Sequence, residues 1–431
     1  MDKIVIEGGR RLNGVVEVSG SKNAALPVMA AAILTDEPVT IRRLPDLTDV
    51  RTMANILNDL GMETTWSDDG HTLTLRTTND ALCTAPYERV SEMRASICVL
   101  GPLLAKRHKA TVALPGGCKI GERPVDLHLL GLRALGANII DILHGNIEGT
   151  ADRLKGAEIF LAGPNGPTVL GTANVMCAAA IAEGRTIIKE AACEPEIQDL
   201  ALLLNKMGAK ITGIGTKQLI IDGVERLHGA DHELIPDRIE AGTYMAAAAI
   251  TGGSVELRNM RCSDLDAVID HMQRMNIRIT KLPGGCRVEP HGELAPLNFA
   301  TAPYPGFPTD MQAQLMALLT VARGTSIITE KVYPKRFMHV AELNRLGAKI
   351  HTQGSIAIVE GVESLSGAKV IASDLRASAS LVIAGLIAKG HTEVKEVHHI
   401  DRGYERIEEK LRALGARIRR EHDPEETGPA R

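Results

Sequence analysis

Apolar positions along the chain alternate between two patterns. Ala-rich apolar runs with helical spacing occur at Val28 to Leu34, Ala95 to Ala105, Ala173 to Ala182, Ala241 to Ile250, Met311 to Ala322 and Ala377 to Ala388, and each predicts a helix. Each run leads through a turn, usually with glycine, into a short β-branched segment such as Thr186-Ile187-Ile188 or Ser254-Val255-Glu256-Leu257, which predicts a strand. A second, amphipathic helical pattern follows. It closes on the phrase Leu-x-x-Leu-Gly-Ala, with variation, at Leu57 to Met62, Leu132 to Ala137, Leu204 to Ala209, Met272 to Ile277, Leu343 to Ala348 and Leu411 to Ala416. The glycine stands at Gly61, Gly136, Gly208, Gly347 and Gly415, with Asn276 in the fourth copy, so the spacing is 68 to 75 residues. That is the left-handed position ending a helix, which glycine fills without steric cost. Another strand then begins, as at Lys210-Ile211-Thr212 or Lys349-Ile350-His351.

The chain therefore reads as α/β, six helix–strand–helix–strand modules whose alanines let helices approach closely. Three modules can surround a shared helical core with sheets outside, and six make two pseudo-symmetric halves. Glycine and polar segments at Gly20-Ser21-Lys22 and around Pro236-Asp237 divide them three and three. The expected domains are 22–235, and 1–21 with 236–431. If the opening strand Lys3 to Glu7 joins the last three modules, the chain crosses twice between halves and a hinged ligand cleft is expected. The tail 421–431 is polar with two prolines and reads as disordered.

Composition narrows the function classes. The 431 residues are 44% hydrophobic and 24% charged, which suits a sizeable core. One Trp, five Tyr and four Phe offer few platforms for stacking bases, and a net charge of −4 gives no pull on phosphate backbones, so nucleic acid is not an expected partner. The N-terminus lacks a signal-peptide core and the apolar stretch from Ala24 to Leu34 is too short to cross a membrane, so a cytoplasmic, membrane-free protein is expected. Seven cysteines without a CxxC pair fit neither a disulfide framework nor a zinc cluster. His398 and His399 would face opposite ways on a strand. Neither a Walker loop nor a GxGxxG fingerprint is present, so no metal and no cofactor are expected.

Several residues could carry chemistry. Cys118 sits in Pro115-Gly116-Gly117-Cys118-Lys119-Ile120-Gly121-Glu122-Arg123-Pro124, where Lys119 and Arg123 would favour a thiolate. It is either a nucleophile or proton donor on a mobile loop, or an incidental surface cysteine. Lys22-Asn23 opens an apolar helix, which suits an anionic ligand or simple capping by Ser21 or Asn23. Arg94, Arg123, Arg336, Arg376 and Arg402 recur near module junctions or helix starts. They are solvated charges taken singly, and a clamp for a multiply anionic substrate if they converge. Asp310 is a general base or a helix cap. Asp374 has the same ambiguity and could orient a nearby cation.

The phrases Ser19-Gly20-Ser21-Lys22-Asn23-Ala24-Ala25, Pro115-Gly116-Gly117-Cys118, Arg123-Pro124-Val125-Asp126-Leu127-His128, Glu194-Pro195-Glu196-Ile197, Pro236-Asp237-Arg238-Ile239-Glu240-Ala241-Gly242-Thr243, Phe307-Pro308-Thr309-Asp310-Met311-Gln312-Ala313-Gln314, Arg336-Phe337-Met338-His339, Asp374-Leu375-Arg376-Ala377-Ser378-Ala379 and His399-Ile400-Asp401-Arg402-Gly403-Tyr404 together resemble the UDP-N-acetylglucosamine enolpyruvyl transferases. The resemblance runs to about Arg420. It implies two inverse α/β-barrel-like domains of three βαβαββ repeats each, with the ligand cleft between them. It also implies transfer of the enolpyruvyl group of phosphoenolpyruvate to the 3′-hydroxyl of UDP-N-acetylglucosamine at the first committed step of peptidoglycan synthesis. By the same resemblance, Lys22, Arg123 and Arg402 neutralise phosphate, while Arg336, Arg376 and Arg402 lie near the carboxylate. Cys118 becomes the acid and Asp310 the base, with Asp374 in the catalytic set. Asn23 and Asp310 contact the sugar, Val332 packs near it, and Arg94 lies on the cleft wall. Residues Arg123, Pro124, Val125, Asp126 and Leu127 take the uridine, and fosfomycin is expected to alkylate Cys118.

One segment departs from the family. Gly166-Pro167-Thr168-Val169-Leu170-Gly171-Thr172 stands where the family has Ser-Val-Gly-Ala-Thr after a basic residue. Thr168 and Val169 keep a hydroxyl and a valine for the diphosphate, but Leu170 replaces glycine. Cys98 stands where relatives often have tryptophan. The rival readings are a shikimate 3-phosphate enolpyruvyl transferase and a silent UDP-sugar sensor.

Overall fold

The computed structural model describes residues 2–114, 125–143 and 145–422. Each of the six Ala-rich runs is helical: Lys22–Ala31, Leu100–Arg107, Val169–Ala179, Arg238–Ile250, Gln312–Leu319 and Leu375–Gly385. Tight 3₁₀ turns extend three of them, at Ala32–Leu34, Arg94–Val99 and Thr309–Met311. Every residue of Arg238–Ile250 and of Gln312–Leu319 is buried, as a helix without a polar face requires. Small residues set how near such helices come. A Cβ on Gly101 would lie 2.3 Å from the carbonyl oxygen of Asn174 on the neighbouring helix Val169–Ala179, so only glycine fits there.

The described residues form two compact units, one of residues 20–114, 125–143 and 145–235 and the other of residues 2–19 with 236–422. Within the first, helices Lys22–Ala31, Leu100–Arg107 and Val169–Ala179 carry the centre of one continuous apolar core. Three four-stranded sheets belong to this unit. They are Ala230–Glu233, Val39–Arg42, Thr72–Thr77 and Met62–Trp66; Thr84–Ala85, Lys109–Ala113, Asn146–Thr150 and Asn138–Leu143; and Glu158–Phe160, Arg185–Lys189, Gln218–Asp222 and Lys210–Thr212, each in spatial order. The first pair of every sheet is parallel and the other two pairs are antiparallel. Strand Ala230–Glu233, from the end of the unit, completes its first sheet.

The second unit repeats this plan around Arg238–Ile250, Gln312–Leu319 and Leu375–Gly385. Two strands from the chain's beginning finish its sheets. Asn13–Glu17 pairs parallel with Ser254–Arg258, and Asp2–Glu7 lies antiparallel between His391–Lys395 and Arg417–His422. The opening strand therefore belongs with the last three modules.

All six repeat positions have positive φ: Gly61 at 78°, Gly136 at 95°, Gly208 at 102°, Asn276 at 64°, Gly347 at 94° and Gly415 at 102°. Asparagine tolerates this region better than other side chains, which explains the one substitution. Two expectations need correction. Glu421 and His422 are not part of a disordered tail, because they pair with Lys3 and Asp2 at the end of a sheet. His398–Asp401 is a short helix instead of a strand, so the rings of His398 and His399 sit 4.1 Å apart instead of on opposite faces.

Candidate active site

In the second unit the strongest polar cluster gathers around Asp310. Its Oδ1 accepts from Arg336 Nη1 at 2.8 Å and its Oδ2 from Arg376 Nη2 at 3.1 Å. The arginines are almost fully buried, with side chains 7% and 3% exposed, whereas the Asp310 side chain is 26% exposed. Burial disfavours both guanidinium charges, but Asp310 with Asp374 at Arg336, and Asp310 with Tyr404 and Asp237 at Arg376, together outweigh it and the arginine pKa values rise above their ordinary range.

Local structure explains these positions. Asp310 lies in the 3₁₀ turn Thr309–Met311, and its backbone carbonyl accepts from the side chain of Gln314 at 2.8 Å. Arg376 opens helix Leu375–Gly385, where Asp374 Oδ1 caps the backbone N–H groups of Arg376 and Ala377 at 2.9 and 3.1 Å. Asp374 is thus a cap, and its charge also favours the Arg336 cation. Arg376 Nη1 donates to Tyr404 Oη at 3.1 Å. Thr243 Oγ1 gives its proton to Ile239 O, so the 2.9 Å contact between Tyr404 and Thr243 has tyrosine as donor.

Glu330 holds the other side and was missed in the sequence. It is completely buried, accepting at Oε1 from Thr301 Oγ1 and from the backbone N–H groups of Val332 and Tyr333, at 2.7 to 2.9 Å. Its Oε2 accepts from Thr309 Oγ1 at 3.1 Å. The Thr309 hydroxyl in turn accepts from Arg336 Nη1 at 3.1 Å. A glutamate closing a β-branched strand at Thr329-Glu330 was the available signal, but nothing local says that it turns inward. Val332 is half-buried and follows this anchor; Arg402 is half-buried at the end of helix His398–Asp401. His339, also buried, has its pKa lowered to about 4 by burial, with Arg336 contributing and Asp374 opposing.

In the first unit Ser21 is the N-cap of helix Lys22–Ala31, accepting from Ala24 N at 3.3 Å. Lys22 and the half-buried Asn23 lie in its first turn. Lys22 Nζ is 2.8 Å from Asp49 Oδ2, with side chains only 11% and 4% exposed. Asp49 was also missed. It stands in the first turn of helix Thr48–Asp59, where a carboxylate suits the helix dipole.

Thr168 caps helix Val169–Ala179 by accepting from Gly171 N at 3.2 Å, and Val169 follows it, half-buried. Half-buried Arg94 starts the turn Arg94–Val99. Val125 and Leu127 are half-buried and Asp126 is exposed at the start of helix Asp126–Ala134. His128 in that first turn is buried and its Nδ1 meets Asn174 Nδ2 at 2.9 Å. Asn174 also donates to Ile97 O and accepts from Gly101 N, so its amide orientation makes His128 Nδ1 the acceptor. Burial, with Arg94 nearby, lowers the His128 pKa to about 3. Cys118, Arg123 and Pro124 lie outside the described residues. The six cysteines within them all have thiols pushed up by burial, Cys98 to about 12, which makes them poor nucleophiles. Among the described residues, Glu396, His398 and His399 form the one grouping with possible metal-ligand atoms within 4.8 Å of one another, a grouping that the sequence did not suggest.

These arrangements can bind and orient an acid with two buried guanidinium groups and present a carboxylate beside them. Among the described residues no helix is long and apolar enough to cross a membrane. Residues 6–411 match the sequence profile of EPSP synthase (3-phosphoshikimate 1-carboxyvinyltransferase). The UDP-N-acetylglucosamine 1-carboxyvinyltransferase 2 of Carboxydothermus hydrogenoformans is 53% identical over 98% of this chain and 100% of its own. The UDP-N-acetylglucosamine 1-carboxyvinyltransferase of Methylacidiphilum infernorum is 51% identical over 97% and 99%. Among solved structures, the enolpyruvyl transferase NikO from Streptomyces tendae superposes with a TM-score of 0.87 at 25% identity, covering 98% of this chain and 99% of that one. An EPSP synthase from Acinetobacter baumannii shares the fold at a TM-score of 0.73 and 18% identity, over 98% and 100%. A profile match over most of the chain and relatives above half identity leave one assignment: the chain belongs to the EPSP synthase (3-phosphoshikimate 1-carboxyvinyltransferase) family of enolpyruvyl transferases.

Proposed function

We propose that this protein transfers the enolpyruvyl group of phosphoenolpyruvate to the 3′-hydroxyl of UDP-N-acetylglucosamine, releasing inorganic phosphate, in peptidoglycan synthesis. The observation that carries the reading is the pair of buried arginines, Arg336 and Arg376, converging on Asp310. Relatives above 50% identity over nearly the whole chain bear the name of this activity.

In this reading the sugar hydroxyl gives its proton to Asp310 as its oxygen bonds to C2 of phosphoenolpyruvate. The vinyl CH2 takes a proton from Cys118 and a tetrahedral adduct results. The adduct then loses a methyl proton and its C–O bond to phosphate, which restores the vinyl group and frees phosphate. Arg336, Arg376 and Arg402 hold the carboxylate, while Lys22, Arg123 and Arg402 hold the phosphate, so binding also fixes orientation. Asn23 and Asp310 meet the sugar, with Val332 near it. Arg94 and residues Arg123, Pro124, Val125, Asp126 and Leu127 meet the nucleotide, and Thr168 and Val169 its diphosphate. Fosfomycin alkylates Cys118, and the protein works in the cytoplasm as two domains, 22–235 and 1–21 with 236–431.

The deciding experiment measures phosphate release from phosphoenolpyruvate with UDP-N-acetylglucosamine, with shikimate 3-phosphate and with neither. Release with the sugar nucleotide alone is expected. Release only with shikimate 3-phosphate moves the protein to the other acceptor, and none with either leaves a silent sensor.

A further inference from the structure

Three sulfurs that play no part in enolpyruvyl transfer meet in the second unit. Strand Ser254–Arg258 leaves its sheet through Asn259-Met260-Arg261 into the 3₁₀ turn Cys262–Leu265, beside the hairpin of Ile277–Leu282 and Gly285–Pro290. The Met260 N–H donates to Gly284 O at 3.0 Å, which ties the crossing to the hairpin turn. Cys286 Sγ then lies 3.5 Å from Met260 Sδ. The Cys262 thiol donates to Gly285 O at 3.5 Å and also interacts with the Cys286 thiol, so Cys286 touches both of the other sulfurs. Met260 and Cys286 are buried and Cys262 is half-buried, which makes Cys262 the member that solvent reaches. Burial pushes both thiols up, Cys286 to about 12; at Cys262 the charge of Lys281 favours the thiolate and that of Asp266 opposes it.

We propose that Met260, Cys262 and Cys286 form a binding site for a soft monovalent metal cation, copper(I) being the ion that fits. Thiolate and thioether sulfur select such ions, whereas hard divalent cations take oxygen. Two sulfurs that share an ion at a bond length of about 2.3 Å stand about 4 Å apart, so the contact between Cys286 and Met260 needs little adjustment. Structural zinc asks for four nitrogen, sulfur or carboxylate ligands. Among the described residues no third His, Cys, Asp or Glu gathers with the two cysteines, and the thioether is what completes the set. On binding, each thiol gives its proton to water and each sulfur makes one bond to the metal, with no change of oxidation state. Two thiolates and one neutral thioether around a single positive ion leave one negative charge, which Lys281 opposes. The released protons make uptake stronger as pH rises. The ion joins the crossing to the hairpin and so stabilises the native state. This inference does not rest on the enolpyruvyl-transfer reading.

The test titrates the reduced, full-length protein with copper(I) under anaerobic conditions against the chelator bicinchoninate. A Cys118→Ser parent removes the loop thiol from competition, and Cys262→Ser and Met260→Leu are made in that parent. Thermal melts confirm that each variant is folded, and the leucine, close in volume to methionine, serves if the serine variant is not. The parent should take one copper(I) per chain with three sulfur neighbours by X-ray absorption, and should melt at a higher temperature with the ion. Loss of even an outer partner weakens metal sites 10–100-fold, so Cys262→Ser should lose about a hundredfold in affinity and Met260→Leu about tenfold. No uptake by the parent against the chelator overturns the site, as does equal uptake by the parent and Cys262→Ser. Met260→Leu that binds as tightly as the parent, with the same sulfur count, overturns the three-sulfur set.

Discussion

Glu330 and Arg336 are joined through a single hydroxyl: Thr309 Oγ1 lies 3.1 Å from Glu330 Oε2 and 3.1 Å from Arg336 Nη1. The hydroxyl has one proton, given to the carboxylate, so it faces the guanidinium with a lone pair. A buried anion thereby sets the direction of a buried cation without touching it.

Replacing Glu330 by glutamine should break this relay. The amide can accept at only one end, and its NH2 faces either the Val332 and Tyr333 N–H groups or the Thr309 hydroxyl. An unmade buried hydrogen bond costs about 1–3 kcal/mol. A lower urea midpoint and a raised KM for phosphoenolpyruvate are expected. A variant with the wild-type midpoint and KM would show that Glu330 positions nothing.

Two buried histidines should make the fold acid-sensitive. His128 and His339 have folded pKa values of about 3 and about 4, below the ordinary 6.5, so between these values the unfolded chain binds protons that the native one refuses. The stability they contribute is complete above pH 6.5 and falls as pH drops, by about 1.4 kcal/mol per pH unit for each histidine. Urea unfolding at pH 7.5, 5.5 and 4.5 should show the loss, and His128→Gln should flatten it. Parallel pH profiles for the two proteins would contradict the assignment.

Gly101 tests the close helix approach. Alanine would place its Cβ 2.3 Å from Asn174 O and push against the Gly101 N to Asn174 Oδ1 bond. Forcing a methyl into a packed core costs about 1–3 kcal/mol. Chemical denaturation of Gly101→Ala should read a loss of that size, and an unchanged midpoint would mean that the helices have room.

The Lys22–Asp49 pair separates stability from chemistry. Lys22→Ala takes the ammonium from a nearly buried carboxylate, and breaking such a pair from one side costs about 3–5 kcal/mol. The double variant Lys22→Ala/Asp49→Ala should recover part of the stability while remaining inactive. If the double variant is no more stable than the single one, the two groups do not depend on each other.

The repeat was legible because its signals are local. A helix apolar on all sides, a β-branched run and a residue at positive φ each follow from a few neighbouring side chains, and all six modules show them. Local pattern failed at His398–Asp401, where two adjacent histidines gave no period to read, and at Glu421 and His422, whose polarity hid their pairing with Asp2–Glu7. It could also nominate Asp310, Arg336 and Arg376 one by one, but not say that they meet. What the chain alone determined was its module, its sixfold count and the residue types able to handle an acid, since these depend on backbone sterics and short-range periodicity. Tertiary structure alone decided that Glu330 turns inward, that Asp49 answers Lys22 and that Asp310 meets Arg336 and Arg376, because those contacts join positions that only folding brings near and whose charges are tolerable in the core only together.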